Sequence, residues 1–274
     1  MRAARRVIGS MVMGLLGLAA AGCDIVRLTP VEGSFDRTLA VSGPVELDIR
    51  SGAGGVRIHA GPVGAVHVVA RLRAYRGGTA DTTARIRRIE ANPPVEQHGN
   101  TIRIGQVVDN DLYHDVAIEY DLTVPAATSV RSVVGSGGQT IHGPLQGRLD
   151  LTAGSGGIRI EDTAGDVQVS AGSGGLRLTG IRGALRARAG SGAIRIEGQP
   201  IGPWSAYTGS GAIRMSVTGG TPFEVDANTG SGGISSDQLV AVVGARSRHH
   251  LHGTVLGGGP LVRLETGSGS IRIE

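Results

Sequence analysis

The sequence predicts an all-β chain wound as a right-handed parallel β-solenoid of about 18–19 residues per coil, and three observations lead there. Gly-Ser-Gly recurs around Ser136, Ser155, Ser173, Ser191, Ser210 and Ser231 at separations of 19, 18, 18, 19 and 21. Ser268 follows 37 residues later, close to two periods. Apolar and polar residues alternate on both sides of each copy, the period of a strand with one buried face. The composition suits a narrow aliphatic core, since 47 of 274 residues are Gly while Phe, Trp and Tyr together make 3%. The hand follows from the strong preference of parallel crossover connections.

At the start of the chain, Arg2, Arg5 and Arg6 precede an apolar run over residues 7–18, and small residues fill 19–22. This order of charged, apolar and small segments predicts a secretory leader over residues 1–22. Residues 18–23, LAAAGC, resemble the lipobox of bacterial lipoproteins, although that family usually has Leu where Ala20 stands. The resemblance implies lipidation of Cys23, the single cysteine, and a cell-envelope location on either membrane or at the surface. Several acyl chains on one residue anchor stably. All 27 basic residues are Arg; loss of the leader leaves 24 of them against 23 acidic residues, a formal charge of +1. A nearly neutral mature chain gives no support to a nucleic-acid partner.

Residues 23–40 are read as anchor and linker, 41–125 as an N-terminal β cap region and 126–274 as the repeats. Within the cap region, residues 45–59 (VELDIRSGAGGVRIH) already place Val45, Leu47, Ile49, Val56 and Ile58 inward around a widened glycine turn, which makes a first coil. Residues 65–75, 100–105 and 116–124 are further strand candidates. Residues 79–90 predict one short helix with Ile86 and Ile89 facing inward, capped at Thr79 or Asp81. A solenoid needs such a terminal cap.

In the repeats, Val130, Leu149, Val167, Leu185, Trp204, Val225 and Val262 stand six places before each Ser. Leu151, Val169, Ala187, Ala206, Ala227 and Leu264 stand four before. A second strand follows each turn, with Ile158, Leu176, Ile194, Ile213, Ile234 and Ile271 inward. Gly147, Gly165, Gly183 and Gly202 mark the opposite bend. Residues 126–274 then hold roughly eight coils, a rod of about 35–40 Å at about 4.8 Å per coil.

The Gly-Ser-Gly copies are corners rather than linkers or phosphate loops. Linkers have no reason to keep apolar columns in register. A phosphate loop requires a following Lys-Ser/Thr and a helix, both absent from the pattern, and a calcium-binding nonapeptide turn requires a recurrent Asp. With VAIEYDLTVP at 116–125 and GSGGQT at 135–140, the chain resembles the bacterial "putative adhesin" domains of unknown function, over about residues 40–274. That resemblance implies a solenoid fold and an adhesin-like role, and brings no catalytic residue or cofactor.

Function must then reside on the surface. Arg159, Arg177, Arg195 and Arg214 occupy the outward position between the two aliphatic residues after each turn, where Thr140, Ser235 and later Arg272 also stand. Such a column is a candidate anion-binding stripe for phosphate or carboxylate groups of an envelope polymer or polysaccharide; alternatively it is a solvated charge run shielded by Glu161 and Glu197. Trp204 falls in an inward column, whereas Tyr207 falls outward and is a candidate sugar contact. His249, His250 and His252 in RHHLH are weak metal candidates, read as a loop with incidental histidines. No metal or other cofactor is expected. The rival reading is a polysaccharide lyase or hydrolase on a parallel β-helix, for which Asp150, Arg186, Arg188 and Asp226 share the other outward face. These are spread over several coils, so the sequence favours a non-catalytic binding or scaffolding protein. Finally, SIRIE at 270–274 stops in mid-coil, which leaves an edge open to self-association.

Overall fold

The computed structural model describes residues 31–74, 80–105, 112, 113, 115–243 and 247–274; the leader read from sequence over residues 1–22, Cys23 and the cap candidate Thr79 lie outside them. Val31–Ala40, assigned to the linker from sequence, is a ten-residue strand, β1. Phe35 is buried and Val31 and Leu39 pack partly against the core, but Gly33 and exposed Arg37 in the same row interrupt the apolar alternation. Strands β2 (Val45–Ala53) and β3 (Val56–Gly61) form the expected first coil around the glycine turn. Strand β4 (Ala65–Ala74) pairs antiparallel with β1 along its whole length.

Helix α1 (Ala80–Ala91) buries Ile86 and Ile89 as expected and packs on β1 and β4. Asp81 sits in its first turn, favourably placed for the helix dipole, and accepts from Arg85 at 2.5 Å one turn on. Gly33 admits the helix, since a Cβ there would lie 2.4 Å from Ile86 Cγ2. Strands β5 (Val95–His98), β6 (Thr101–Ile104) and β7 (Val116–Pro125) complete the N-terminal part. With β1 and β4 extending one sheet, β5 extending the other and α1 joined between β4 and β5, this end is closed as a solenoid cap requires.

The repeats follow as strand pairs: β8 (Thr128–Ser136) with β9 (Gln139–Leu145), β10 (Leu149–Ala153) with β11 (Ile158–Thr163), and β12 (Val167–Ala171) with β13 (Leu176–Ile181). Next come β14 (Leu185–Ala189) with β15 (Ile194–Gly198), and β16 (Trp204–Thr208) with β17 (Ile213–Val217). Two further pairs, β18 (Phe223–Thr229) with β19 (Ile234–Ser236) and β22 (Leu261–Thr266) with β23 (Ile271–Ile273), are separated by strands β20 (Val240–Val242) and β21 (His250–Val255). The described residues of 126–274 therefore form seven coils and a hairpin rather than eight coils.

Two sheets face each other across one aliphatic core. Sheet I has the order β1-β4-β7-β3-β9-β11-β13-β15-β17-β23-β19; sheet II has β20-β21-β18-β22-β16-β14-β12-β10-β8-β2-β6-β5. Along the repeats neighbouring strands are parallel and in register, so Leu149, Val167, Leu185 and Trp204 stack inward as one column. Each fully buried aliphatic side chain contributes about 1.5–3 kcal/mol.

Coil order in space differs from order in sequence at both ends. The pair β2/β3 lies between β6/β7 and β8/β9. The pair β22/β23 lies between β16/β17 and β18/β19. The edge expected at residues 270–274 is therefore absent: Ile271 pairs with Ile213 on one side and Ile234 on the other. Threonine hydroxyls report the same order, as Thr208 donates to the Gly192 carbonyl at 2.8 Å, Thr266 to Gly211 at 2.8 Å and Thr229 to Gly269 at 2.7 Å.

The corners explain why glycine recurs. A Cβ on Gly156, Gly174 or Gly192 would lie 1.8, 2.1 or 2.0 Å from the carbonyl oxygen of Gly137, Gly156 or Gly174 in the coil beneath. Close approach, not a positive φ, is the constraint. The following position is looser, and Ala193 and Ala212 occupy it where Gly157 and Gly175 stand in earlier coils. The opposite bend obeys the same rule, with a Cβ on Gly165 falling 2.1 Å from the Gly147 oxygen.

Candidate functional site

Sheet I presents three outward columns, because strand residues alternate faces and parallel register stacks like on like. The first is nearly bare: Gly138, Gly157, Gly175, Ala193 and Ala212 contribute no more than a methyl group. The second is the arginine column. Register pairs run Arg159 to Arg177, Arg177 to Arg195, Arg195 to Arg214 and Arg214 to Arg272. The four arginines picked from sequence are thus brought together, and the inserted coil adds a fifth. Beyond them, Thr140 separates Arg159 from Arg57, whose other neighbour is Asp121.

Acids compensate the two ends of this ladder and leave its centre alone. Glu161 lies 3.6 Å from Arg159, and Glu274 lies 3.5 Å from Arg214 and 2.8 Å from Arg272. Asp237 accepts from Arg272 at 2.9 Å. That hydrogen bond, then the charges of Asp237 and Glu274, pushes the Arg272 pKa further up. Among the described residues, Arg177 and Arg195 have no carboxylate within ion-pair distance; Glu197, two residues beyond Arg195, does not reach either. An open depression of about 380 Å³ runs beside them, floored by Gly157, Gly175 and Ala193 and walled by Arg159, Arg177 and Arg195. A smaller one of about 130 Å³ lies on their other side, against Thr179, Glu197 and Ser216.

The third column continues the ladder toward the cap. His59 and His142 are register partners with rings stacked at 5.0 Å and 5°. The His142 ring bonds Glu161 at 2.8 Å, and His59 lies 3.6 Å from Asp121. Sequence reading missed this pair; the signal was available, since Arg57-Ile58-His59 aligns with Arg159-Ile160-Glu161.

Sheet II is organised differently. Its matching outward column reads Arg103, Asp48, Arg131, Asp150, Gln168, Arg186, Ser205, Arg263 and Asp226 in spatial order. Every arginine there has acidic or neutral neighbours, and Arg263 lies 3.5 Å from Asp226. Among the described strands, arginine partners arginine only in the sheet I ladder. Asp150 and Asp226 are five strand steps apart, about 24 Å at about 4.8 Å each. Paired glycosidase carboxylates sit no more than about 9.5 Å apart.

The other candidates lie away from the ladder. Trp204 is buried and donates its indole N–H to the Gly183 carbonyl at 3.0 Å, a core role as expected. Tyr207 is 47% exposed on sheet II, beside Arg188, on the face opposite the ladder. The histidine tract is not a loop, because His250 begins strand β21, which pairs antiparallel with β18. His250 and His252 point the same way and bond Asn228 at 2.7 Å and Glu224 at 2.9 Å, while exposed His249 precedes the strand. Among the described residues, no group of three or more His, Cys, Asp or Glu is placed to hold a metal, and no helix is long and apolar enough to cross a membrane.

The chain is similar to three solved proteins at low identity. A solved "putative adhesin" from Bacteroides fragilis is 13% identical, with 88% of this chain and 97% of that one covered, at a TM-score of 0.43. A "putative cell adhesion protein" from Clostridium sporogenes is 12% identical over 88% and 99% of the two chains, with a TM-score of 0.38. A "putative adhesin" from Parabacteroides distasonis gives 12%, 88%, 97% and 0.30. No curated protein matches the chain. The Toastrack DUF4097 family model matches residues 101–274, from β6 through every repeat, and the chain belongs to that family.

Proposed function

We propose that this is a non-catalytic, lipid-anchored protein of the bacterial cell envelope whose rigid solenoid presents an adhesin-like binding surface. The arginine ladder of sheet I is its ligand contact. The observation that carries this reading is the stack of five register-paired arginines whose central members, Arg177 and Arg195, have no carboxylate partner among the described residues. Stacked like charges destabilise a sheet unless something neutralises them. Sheet II, built from the same repeats, avoids every such pair. An anion supplied from outside completes the ladder, and planar guanidinium forks suit carboxylate or phosphate. Cys23, placed by the lipobox-like LAAAGC, supplies the anchor.

Two arms test the reading. Full-length chain and Cys23→Ser are expressed in a bacterium and fractionated; the wild type partitions into detergent with the membranes and the variant is released. Residues 24–274, which contain every described element, are then co-sedimented with isolated envelope fractions across salt. The expected result is salt-sensitive binding, lost when Arg159, Arg177, Arg195 and Arg214 are changed to Ser. Equal sedimentation of the two proteins overturns the assignment of the ladder, and an unaltered distribution of Cys23→Ser overturns the anchor.

A further inference from the structure

We infer that the ladder's ligand is a linear polyuronate, a polysaccharide carrying one carboxylate per sugar, lying along the solenoid axis across the arginines; this rests on the binding reading above. Three features of the face select that chemistry. The first is periodicity. The cations repeat once per strand, about 4.8 Å, over five consecutive coils. In a polyuronate the carboxylates recur once per ring plus one glycosidic oxygen, a comparable interval. Condensed polyphosphate places a charge at every P–O–P link, a shorter interval that falls out of step with successive arginines.

The second is the floor. Beside Arg159, Arg177 and Arg195 the outward positions are Gly157, Gly175 and Ala193, so ring-sized units meet backbone and one methyl group. The depression is open along the stack, as a polymer longer than the site needs. The third is the absence of stacking platforms: among the described residues, the aromatic rings in the outward columns of this face are the imidazoles of His59, His67 and His142, all on the cap side of the ladder, and Tyr207 belongs to the opposite sheet. Single-stranded nucleic acid is held by rows of aromatic side chains as well as by charge. A ladder whose end arginines are ion-paired while Arg177 and Arg195 have no carboxylate within ion-pair distance also favours a polymer seated over these two.

Binding of fluorescently labelled oligogalacturonates of one, three, five and eight sugars to residues 24–274 tests this by anisotropy, with polyphosphate of matched charge alongside. Affinity is expected to climb steeply over the first few sugars, as carboxylates reach Arg177 and Arg195 and then their paired neighbours, and to level by about five sugars, the length of the ladder. The Arg177→Ser, Arg195→Ser double variant is expected to lose at least tenfold for the five-sugar ligand. Arg131→Ser with Arg186→Ser, of equal charge on sheet II, is expected to bind as wild type. Polyphosphate binding equal to or tighter than the uronate, abolished by the ladder variant, overturns the polyuronate while leaving an anion-binding face in place. Affinity independent of sugar number also overturns it. Failure of both polymers to bind overturns this inference together with the ladder's role in the reading beneath it.

Discussion

Arg272 is the register partner of Arg214, although in sequence the coil that follows Arg214 is the one that carries Ser235. Ser235 instead partners Arg272 on its far side. The inserted coil thereby lengthens the ladder to five arginines and brings Glu274 between Arg214 and Arg272. It also removes the last repeat from the edge of the sheet, where β19 and the β20–β21 hairpin stand instead.

Cross-linking checks the coil order. In residues 24–274, which lack Cys23, Arg214→Cys with Arg272→Cys places two thiols on adjacent strands, and a short thiol-specific linker is expected to join them in the monomer. Arg214→Cys with Ser235→Cys places them two strands apart, about 10 Å, and is expected to give no product. The opposite pattern means that the coils stack in sequence order.

The corner glycines separate into demanding and tolerant positions. Gly174→Ala puts a methyl group 2.1 Å from the Gly156 oxygen and forces the backbone of two coils apart. It is expected to cost about 1–3 kcal/mol, the range of overpacking. Gly175→Ala meets its first neighbour at 3.2 Å and copies what Ala193 already does, so it is expected to stay within about 0.5 kcal/mol of wild type. Urea unfolding followed by fluorescence of the single Trp, Trp204, measures both.

Repulsion in the ladder makes stability depend on salt. Two unit charges about 4.8 Å apart in water repel by about 0.9 kcal/mol. The wild-type urea midpoint is expected to rise with added salt, as screening weakens that term. Arg177→Ser with Arg195→Ser is expected to be more stable than wild type by about 1 kcal/mol at low ionic strength, with the gap closing at high salt. A wild-type midpoint indifferent to salt contradicts this.

Tyr120 gives a pH dependence. Burial, with a smaller contribution from Tyr113, pushes its hydroxyl well above the ordinary tyrosine range, and its ring packs edge-on against Phe35 at 6.4 Å. Since the folded state holds the proton more tightly, its contribution is complete below the unfolded pKa of about 10 and is lost as pH rises beyond it. Stability is expected to fall above about pH 10 by up to about 1.4 kcal/mol per pH unit from this group. Tyr120→Phe is expected to flatten that portion of the curve.

Much of the architecture was legible because burial and alternation coincide. Leu151, Val169 and Ala187 announce their column in sequence, and Ile86 and Ile89 announce the inner face of α1. Strand β1 was not legible, since the inward row of Val31, Phe35 and Leu39 is interrupted by Gly33, dictated by the helix above it, and by exposed Arg37. The coil order was hidden for a different reason. Val225, Ala227 and Ile234 offer the same inward set as Val262, Leu264 and Ile271, so either coil matches the surface of Trp204, Ala206 and Ile213. The four arginines of the ladder followed from the repeat, whereas the adjacency of Arg272 depends on that insertion. The histidine tract looked like a loop because Gly-containing, polar flanks obscure the inward Leu251 and Val255 of β21.

The most direct test of the ladder as the anion-binding face compares two variants of identical net charge on a carboxylate-bearing cation-exchange matrix. Residues 24–274 carry a formal charge of only +1, so their retention reports a local patch rather than bulk charge. Arg177→Ser with Arg195→Ser, on sheet I, is expected to elute at clearly lower salt than wild type. Arg131→Ser with Arg186→Ser, on sheet II, is expected to elute close to wild type. Equal loss of retention in the two variants would contradict the account, because the five stacked arginines would then be ordinary surface charge.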